Sequence, residues 1–73
     1  MATTAMAGQC EPWSDENTYG YHCWGYAEGQ VRATALCKDG SLVFGQWRSM
    51  KSGEWSYAYC VSGGGLASGQ PGW

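Results

Sequence analysis

Basic residues are scarce in this chain, and long apolar runs are absent. The 73 residues contain four Lys and Arg against six Asp and Glu, for a formal net charge of −2. Nucleic-acid binding needs clustered positive charge that displaces counterions, so this balance argues against a nucleic-acid partner. No stretch approaches the roughly 20 apolar residues of a membrane-spanning helix, so we predict no span of that kind.

Residues suited to metal binding and catalysis are equally few. The cysteines are separated by 12, 13 and 22 residues, whereas zinc sites in small domains use close pairs such as C-x2-C. His22 is the single histidine, and on a strand it would point away from its neighbour Cys23, which excludes a Cys–His pair. Six dispersed acids leave little room for two carboxylates flanking a cleft. We therefore predict no metal, no cofactor and no enzymatic activity.

The chain contains four cysteines, which can stabilise a domain that is too small for a large core. A domain this small buries a modest share of its surface, so cross-links are expected to supply much of its stability. An even number of widely spaced cysteines predicts two disulfides and an oxidising, extracellular compartment. Among the possible pairings we favour Cys10–Cys23 with Cys37–Cys60. The first bridge would strap residues 11–22 down as a lid.

Much of the chain between residues 18 and 60 has the composition of β-strands. Segments rich in β-branched and aromatic residues alternate with turn residues such as Asp39-Gly40 and Ser52-Gly53. Tight turns would place consecutive strands side by side and antiparallel, with Thr34, Phe44 and Tyr59 in one cross-strand row. The predicted strands are residues 18–26, 30–37, 41–49 and 54–60, and Ala35, Val43 and Cys60 would form the neighbouring row.

The favoured Cys37–Cys60 bridge limits the shape of this sheet. In a flat sheet these cysteines would lie on non-neighbouring strands, with Cα atoms more than about 7 Å apart and beyond bridging distance. The sheet must therefore curl strongly, or its last strand must cross to a second layer. We predict an all-β fold, a small disulfide-stapled antiparallel sheet of about four to five strands curled into a sandwich or barrel.

The domain is expected to span residues 10–61. Residues 1–9 are small and polar, and residues 62–73 are rich in Gly, so both ends are predicted to be flexible tails. Trp73 departs from the composition of its tail, and we expect it either to pack back onto the domain or to project from it.

Strict alternation divides the strand residues between two faces. One face is a mixture of aromatic rings, arginine and other polar groups that is too polar for a dry interior. A slip of one residue in any hairpin would exchange the faces, and a second layer packed on the aromatic face would make that face the core. The predicted core face holds Tyr19, Tyr21, Cys23, Val31, Ala33, Ala35, Cys37, Val43, Gly45, Trp47, Ala58 and Cys60. The aromatic face holds His22, Trp24, Tyr26, Arg32, Thr34, Leu36, Leu42, Phe44, Gln46, Arg48, Trp55, Tyr57 and Tyr59.

The aromatic face is the candidate binding surface. Trp, Tyr and Arg dominate interface hot spots, because they bury a large area for each rotamer that is lost. Cross-strand rows would place Trp24 near Arg32, and Tyr26 near Arg48, within reach of cation–π contacts. The predicted binding residues are Trp24, Tyr26, Arg32, Gln46, Arg48, Trp55, Tyr57 and Tyr59.

These features predict a secreted, monomeric binding protein with an extracellular protein or polysaccharide as its partner. A protein target such as a secreted hydrolase is favoured, since a cross-linked scaffold loses little entropy on binding. A glycan-binding module that stacks sugar rings on Trp and Tyr is the first alternative. A secreted antimicrobial protein is the second, although the acidic balance opposes attraction to anionic membranes.

In length, cysteine number and predicted all-β character the chain resembles the tendamistat-type amylase inhibitors of bacteria. Those inhibitors carry a Trp-Arg-Tyr triplet between their first two cysteines. A Trp-Arg pair occurs here at Trp47-Arg48, but it lies between the third and fourth cysteines and Ser49 follows it. The inhibitory function of that family is therefore not transferred to these residues.

Overall fold

Residues 8–72 are described by the computed structural model, and they are built almost entirely from strands and turns. This part of the chain contains no α-helix, and the all-β prediction is confirmed. Its seven strands exceed the number expected. They are β1 (Gln9–Ser14), β2 (Thr18–Trp24), β3 (Gln30–Cys37), β4 (Leu42–Phe44), β5 (Arg48–Ser49), β6 (Ser52–Tyr59) and β7 (Leu66–Gly72), with a 3-10 turn at Val61–Gly63.

The described strands form two antiparallel sheets. Sheet I has the order β1-β2-β6. Sheet II is built around β3, which pairs with β4, β5 and β7. Residues 34–36 pair with both β4 and β7, so these two strands lie along opposite edges of β3. The sheets do not close, so the predicted barrel is not formed.

One predicted strand pairing is confirmed and two are wrong. Thr34 lies opposite Phe44 in the β3–β4 hairpin, as expected. Tyr59 does not complete that row, because β6 pairs with β2 and Tyr59 lies opposite Thr18. The expected hairpin of β2 with β3 is also absent, since β4 and β7 already occupy both edges of β3. The connection at 25–29 instead carries the chain from one sheet to the other.

Small side chains and one tyrosine fill the interior. The aromatic ring of Tyr19 packs over Gly69 of β7, where a side chain would meet the ring. Val43 and Tyr21 are half-buried and pack against the same cluster. The predicted core face is therefore correct for the buried apolar positions, which are Tyr19, Cys23, Val31, Ala33, Ala35, Cys37, Ala58 and Cys60. Thr34, which was predicted on the aromatic face, is buried as well.

Trp47 was expected in the core, and this expectation is wrong. Its side chain is exposed and lies beside Arg32 on sheet II. The alternation fails here because β4 ends at Phe44 and β5 begins at Arg48, which leaves residues 45–47 outside any strand. Parity counted through an irregular segment does not predict the direction of a side chain.

Both predicted disulfides are present. Cys37 of β3 bonds to Cys60, which follows β6, with 5.3 Å between the Cα atoms. The bridge joins the two sheets, because β6 pairs with β2 in sheet I whereas β3 belongs to sheet II. Cys10 and Cys23 lie opposite each other on β1 and β2. The segment that they enclose is a β-hairpin, so the predicted lid is wrong.

A buried hydroxyl joins the two sheets. Ser56 of β6 is 1% exposed; its Oγ accepts a hydrogen bond from the Ala33 N–H at 2.9 Å and donates one to the Gln46 carbonyl at 2.7 Å. The hydroxyl therefore satisfies two backbone groups of the 30–46 hairpin from the opposite sheet.

The C-terminal segment differs from its expectation as a flexible tail. Leu66–Gly72 forms β7, which pairs with β3 from Arg32 to Cys37. Its sequence is poor in β-branched and aromatic residues, so composition alone does not predict this strand. The expectations for residues 1–7 and Trp73 lie outside the described residues.

Candidate functional site: an aromatic strip on sheet I

Large side chains cover the face of sheet I that points away from the interior. In the β2–β6 pair, His22 lies opposite Trp55 and Gly20 lies opposite Tyr57. Alternation sends these side chains outward while Tyr19 and Ala58 point inward. β1 adds Trp13, which lies opposite Gly20. We call the resulting surface the aromatic strip; it consists of Trp13, His22, Trp24, Trp55, Tyr57 and Tyr59.

Rings of the strip form a row in which each ring contacts the next. His22 stacks on Trp55 with 3.8 Å between ring centroids and 16° between planes, and lies 4.8 Å from Trp24. The Trp55 and Tyr57 rings are 5.8 Å apart and parallel within 11°. Tyr59 continues the strip 6.2 Å beyond Tyr57. Such ring pairs stabilise each other's positions, so the strip is ordered before any ligand binds.

The middle of the strip depends on the absence of a side chain at Gly20. A Cβ at this position would approach the Tyr57 ring to 2.7 Å, so only glycine lets the ring lie over the β2 backbone. Trp13 then meets Tyr57 edge to face, with centroids 6.1 Å apart and planes at 89°. Trp13 therefore borders Tyr57 on the side of β1.

His22 is held in the strip by backbone and carboxylate groups. Its Nδ1 lies 3.2 Å from the Gly53 carbonyl. Its Nε2 is buried and has no hydrogen-bond partner in the described residues, although Glu11 Oε1 lies 3.5 Å away. Because the imidazole is stacked and largely covered, we assign it a structural position within the strip and no chemical role.

A shallow cavity of about 130 Å³ adjoins the strip. Rings from β6 form one wall, and the polar side chains of Gln46 and Arg48 form the other. Arg48 Nε donates a hydrogen bond to the Trp55 carbonyl at 3.0 Å, and its Nη1 lies 3.8 Å from Glu54 Oε1. The guanidinium is thereby fixed beside the rings, where it can bind a polar group of a ligand that contacts them. The cavity is lined by Gln46, Arg48, Trp55, Tyr57 and Tyr59.

Six of the eight predicted binding residues lie together on or beside the strip: Trp24, Gln46, Arg48, Trp55, Tyr57 and Tyr59. Two are elsewhere. Arg32 lies on sheet II, so the predicted row of Trp24 with Arg32 is wrong. The ring of Tyr26 lies against Gly8 with its hydroxyl 3.8 Å from Cys10 Sγ, because β2 ends at Trp24 and Tyr26 no longer follows its alternation.

Trp13 is a strip residue that sequence reasoning missed. The predicted strands do not include residues 11–16, so alternation assigns Trp13 to neither face of the sheet. The disulfide offered the signal: if Cys10 lies opposite Cys23, an antiparallel pairing places Trp13 opposite Gly20. His22 was assigned to the correct face but was not included among the binding residues.

Three further observations bear on the chemistry of the molecule. Among residues 8–72 no cluster of His, Cys, Asp and Glu has the geometry of a metal site. No helix in this range is long and apolar enough to cross a membrane. Burial raises the pKa of Tyr19 and Tyr21, whereas hydrogen bonds from Ser41 lower the pKa of Asp39.

Comparison with known proteins finds no family, no curated protein and no solved structure that matches this chain. The function must therefore be argued from the strip itself.

Proposed function

We propose that this chain is a secreted, non-catalytic binding protein whose aromatic strip docks onto an extracellular protein, with a secreted hydrolase as the favoured target. The proposal depends on one observation: Tyr59, Trp13 and Tyr57 are 61, 46 and 37% exposed while the interior is filled mainly by Ala and Cys. Rings of this size would bury more apolar area inside, so their exposure costs stability and calls for a function.

The composition of the strip supports a protein partner. Tyr and Trp bury a large area on binding and lose few rotamers, and a neighbouring Arg supplies directional hydrogen bonds. Arg48 and Gln46 stand beside the rings at the cavity, in the arrangement of polar groups around an apolar anchor site. A partner side chain entering this cavity would contact rings and guanidinium together.

Rigidity supports an inhibitor-like mode of binding. The proposal treats the two sheets as layers of a small sandwich, each with one outer face. The Cys10–Cys23 bridge ties β1 to β2 beneath the strip, and ring contacts hold the side chains in place. A surface that is already ordered loses little conformational entropy on binding. The two disulfides also support the proposed extracellular location.

A glycan-binding module is the second candidate, and one observation favours it. The Trp55 and Tyr57 rings are parallel within 11°, and the Gln46 amide and the Arg48 guanidinium line the adjoining cavity. Apolar rings with convergent hydrogen-bonding groups also suit a sugar.

A paired assay separates the two candidates. The oxidised protein is added at stoichiometric concentration to α-amylase, xylanase, chitinase and a trypsin-like protease, and in parallel is incubated with insoluble starch, cellulose and chitin. Inhibition of one hydrolase without retention on any polysaccharide supports the protein partner. Retention without inhibition transfers the proposal to the glycan candidate.

A matched pair of double variants connects the result to the strip. Trp13→Ala with Tyr59→Ala removes two exposed strip rings, and Trp47→Ala with Phe44→Ala removes two rings of similar exposure from sheet II. We expect the first pair to weaken the interaction by about tenfold or more, since hot-spot residues each contribute over ~1 kcal/mol. The second pair should change it less than twofold. Equal loss in both pairs, or no activity in either assay, contradicts the proposal.

A further inference from the structure

Arg32 contacts two aromatic rings on the outer face of sheet II. Its Cζ is 4.3 Å from the centroid of Phe44 and 4.6 Å from that of Trp47. Cation–π contacts of this length hold the guanidinium in place. Its five N–H donors, which lie in the plane, are not used by these contacts.

Among residues 8–72, the Arg32 side chain has no hydrogen-bond acceptor and no ion-pair partner. Sheet II itself contains no acidic residue in any of its four strands. Arg48, the other arginine of this sheet, already donates to the Trp55 carbonyl and lies near Glu54. Within the described residues, the guanidinium of Arg32 therefore has no acidic partner, and an anion is its chemical complement.

A cavity with one apolar wall lies next to this cation. The cavity measures about 140 Å³ and opens on the same side of β3, beginning at Thr34, two residues from Arg32. Leu36 and Leu42 supply its apolar wall and are both exposed. Ser68 and Gln70 of β7 supply polar groups at its other side. The volume is sufficient for one apolar side chain.

We propose that the outer face of sheet II is a second binding site, at which Arg32 binds the carboxylate of an acidic peptide segment of a partner protein and the adjacent cavity takes an apolar side chain of the same segment. Residues i and i+2 of an extended peptide lie about 6.8 Å apart on one side, which matches the spacing of Arg32 and Thr34 along β3. A segment that runs in the same direction as β3 therefore presents an acidic residue followed two positions later by an apolar one. The site is independent of the aromatic strip.

The test uses two peptides with the isotopically labelled, oxidised protein. Acetyl-Glu-Gly-Leu-amide carries the proposed pair of groups, and acetyl-Gln-Gly-Leu-amide replaces only the charge. In an NMR titration we expect the first peptide to shift the signals of Arg32 Nε–H, Thr34 and Gln70. The second peptide should bind at least about tenfold more weakly, because a charge-assisted pair is lost.

Arg32→Gln and Arg48→Gln form the matched control. The first should weaken binding of the Glu peptide about tenfold and the second less than twofold. The comparison of peptides on the unaltered protein stands even if a variant folds poorly.

Equal binding of both peptides, shifts confined to the aromatic strip, or no shift at millimolar peptide would overturn the proposal. Shifts of the same residues on dilution without peptide would assign the face to a second copy of the chain. Trp13→Ala should leave the titration unchanged whatever the strip binds.

Discussion

The interior of this protein and the outer face of sheet I are built from opposite kinds of residue. Inside, Ala33, Ala35 and Ala58 pack with half-cystines and a single tyrosine ring. Outside, six aromatic side chains form the strip on β1, β2 and β6. A soluble domain usually buries its largest apolar side chains first, because each contributes about 1.5–3 kcal/mol when removed from water.

This difference separates the sources of stability from the sources of binding. Small buried residues supply little hydrophobic free energy, so disulfides and a buried hydroxyl must carry a larger share of it. The aromatic strip, in contrast, is ordered by ring contacts at the surface and is free to contact a ligand. Substitutions inside should therefore change stability, and substitutions outside should change binding.

The largest effect on stability is expected from removing the bridge between the sheets. Replacing Cys37 and Cys60 together with Ser should lower the free energy of unfolding by about 3.5 kcal/mol, the value expected for its loop length. The Cys10–Cys23 bridge closes a shorter loop within one sheet, so replacing both of these cysteines with Ser should cost about 3 kcal/mol. Denaturant unfolding of the two double variants gives the comparison. A greater loss from the Cys10–Cys23 variant would show that the β1–β2 hairpin, and not the link between sheets, limits stability.

Ser56→Ala tests the second connection between the sheets. The substitution leaves the Ala33 N–H and the Gln46 carbonyl without their partner in a buried place, which should cost about 1–3 kcal/mol. Ser68→Ala changes an exposed serine on β7 and provides the control, with an expected effect within about 0.5 kcal/mol. Chemical denaturation measures both. Equal stability of the two variants would mean that water replaces the hydroxyl.

The sequence predicts the cross-links, the strand segments between residues 18 and 60 and the β3–β4 pairing, but not the partners of β2 and β6. Alternation places Tyr19 and Cys23 on the core face of β2 whether that strand pairs with β3 or with β6, so the burial pattern carries no information on its neighbour. The segment at 66–72 is rich in glycine, and its place beside β3 depends on Gly69 accommodating the Tyr19 ring. This is a tertiary contact that local composition does not encode.

For the site, the prediction succeeds where strands are regular and fails where they end. Trp55, Tyr57 and Tyr59 alternate along one uninterrupted strand and all reach the strip. Trp47 and Tyr26 follow interruptions, after β4 and β2 respectively, and point elsewhere. A face assignment is therefore reliable only within a continuous strand.

High pH should lower the free energy of unfolding, because the interior contains Tyr19. Burial, with a smaller contribution from Tyr21, raises the pKa of Tyr19 above 10.0. As the pH rises past 10.0 the unfolded chain releases this proton before the folded chain does, so the free energy of unfolding falls with increasing pH. Tyr19→Phe should flatten this fall, and adding Tyr21→Phe should flatten it further. Unfolding measured across this range, with refolding checked at neutral pH, tests the slope; an unchanged slope in the double variant would contradict the assignment.

A small effect on stability, and the clearest test of the comparison, is expected at Tyr59. Ala58 and Tyr59 are neighbours in β6 that point to opposite sides, the first fully buried and the second 61% exposed. Tyr59→Thr retains a good strand former and should change the free energy of unfolding by less than about 1 kcal/mol, while weakening partner binding about tenfold. Ala58→Leu should do the reverse, costing about 1–3 kcal/mol by overpacking without altering the strip. If Tyr59→Thr destabilises the fold as much as Ala58→Leu does, the strip is part of the structural core and the division between inside and outside is wrong.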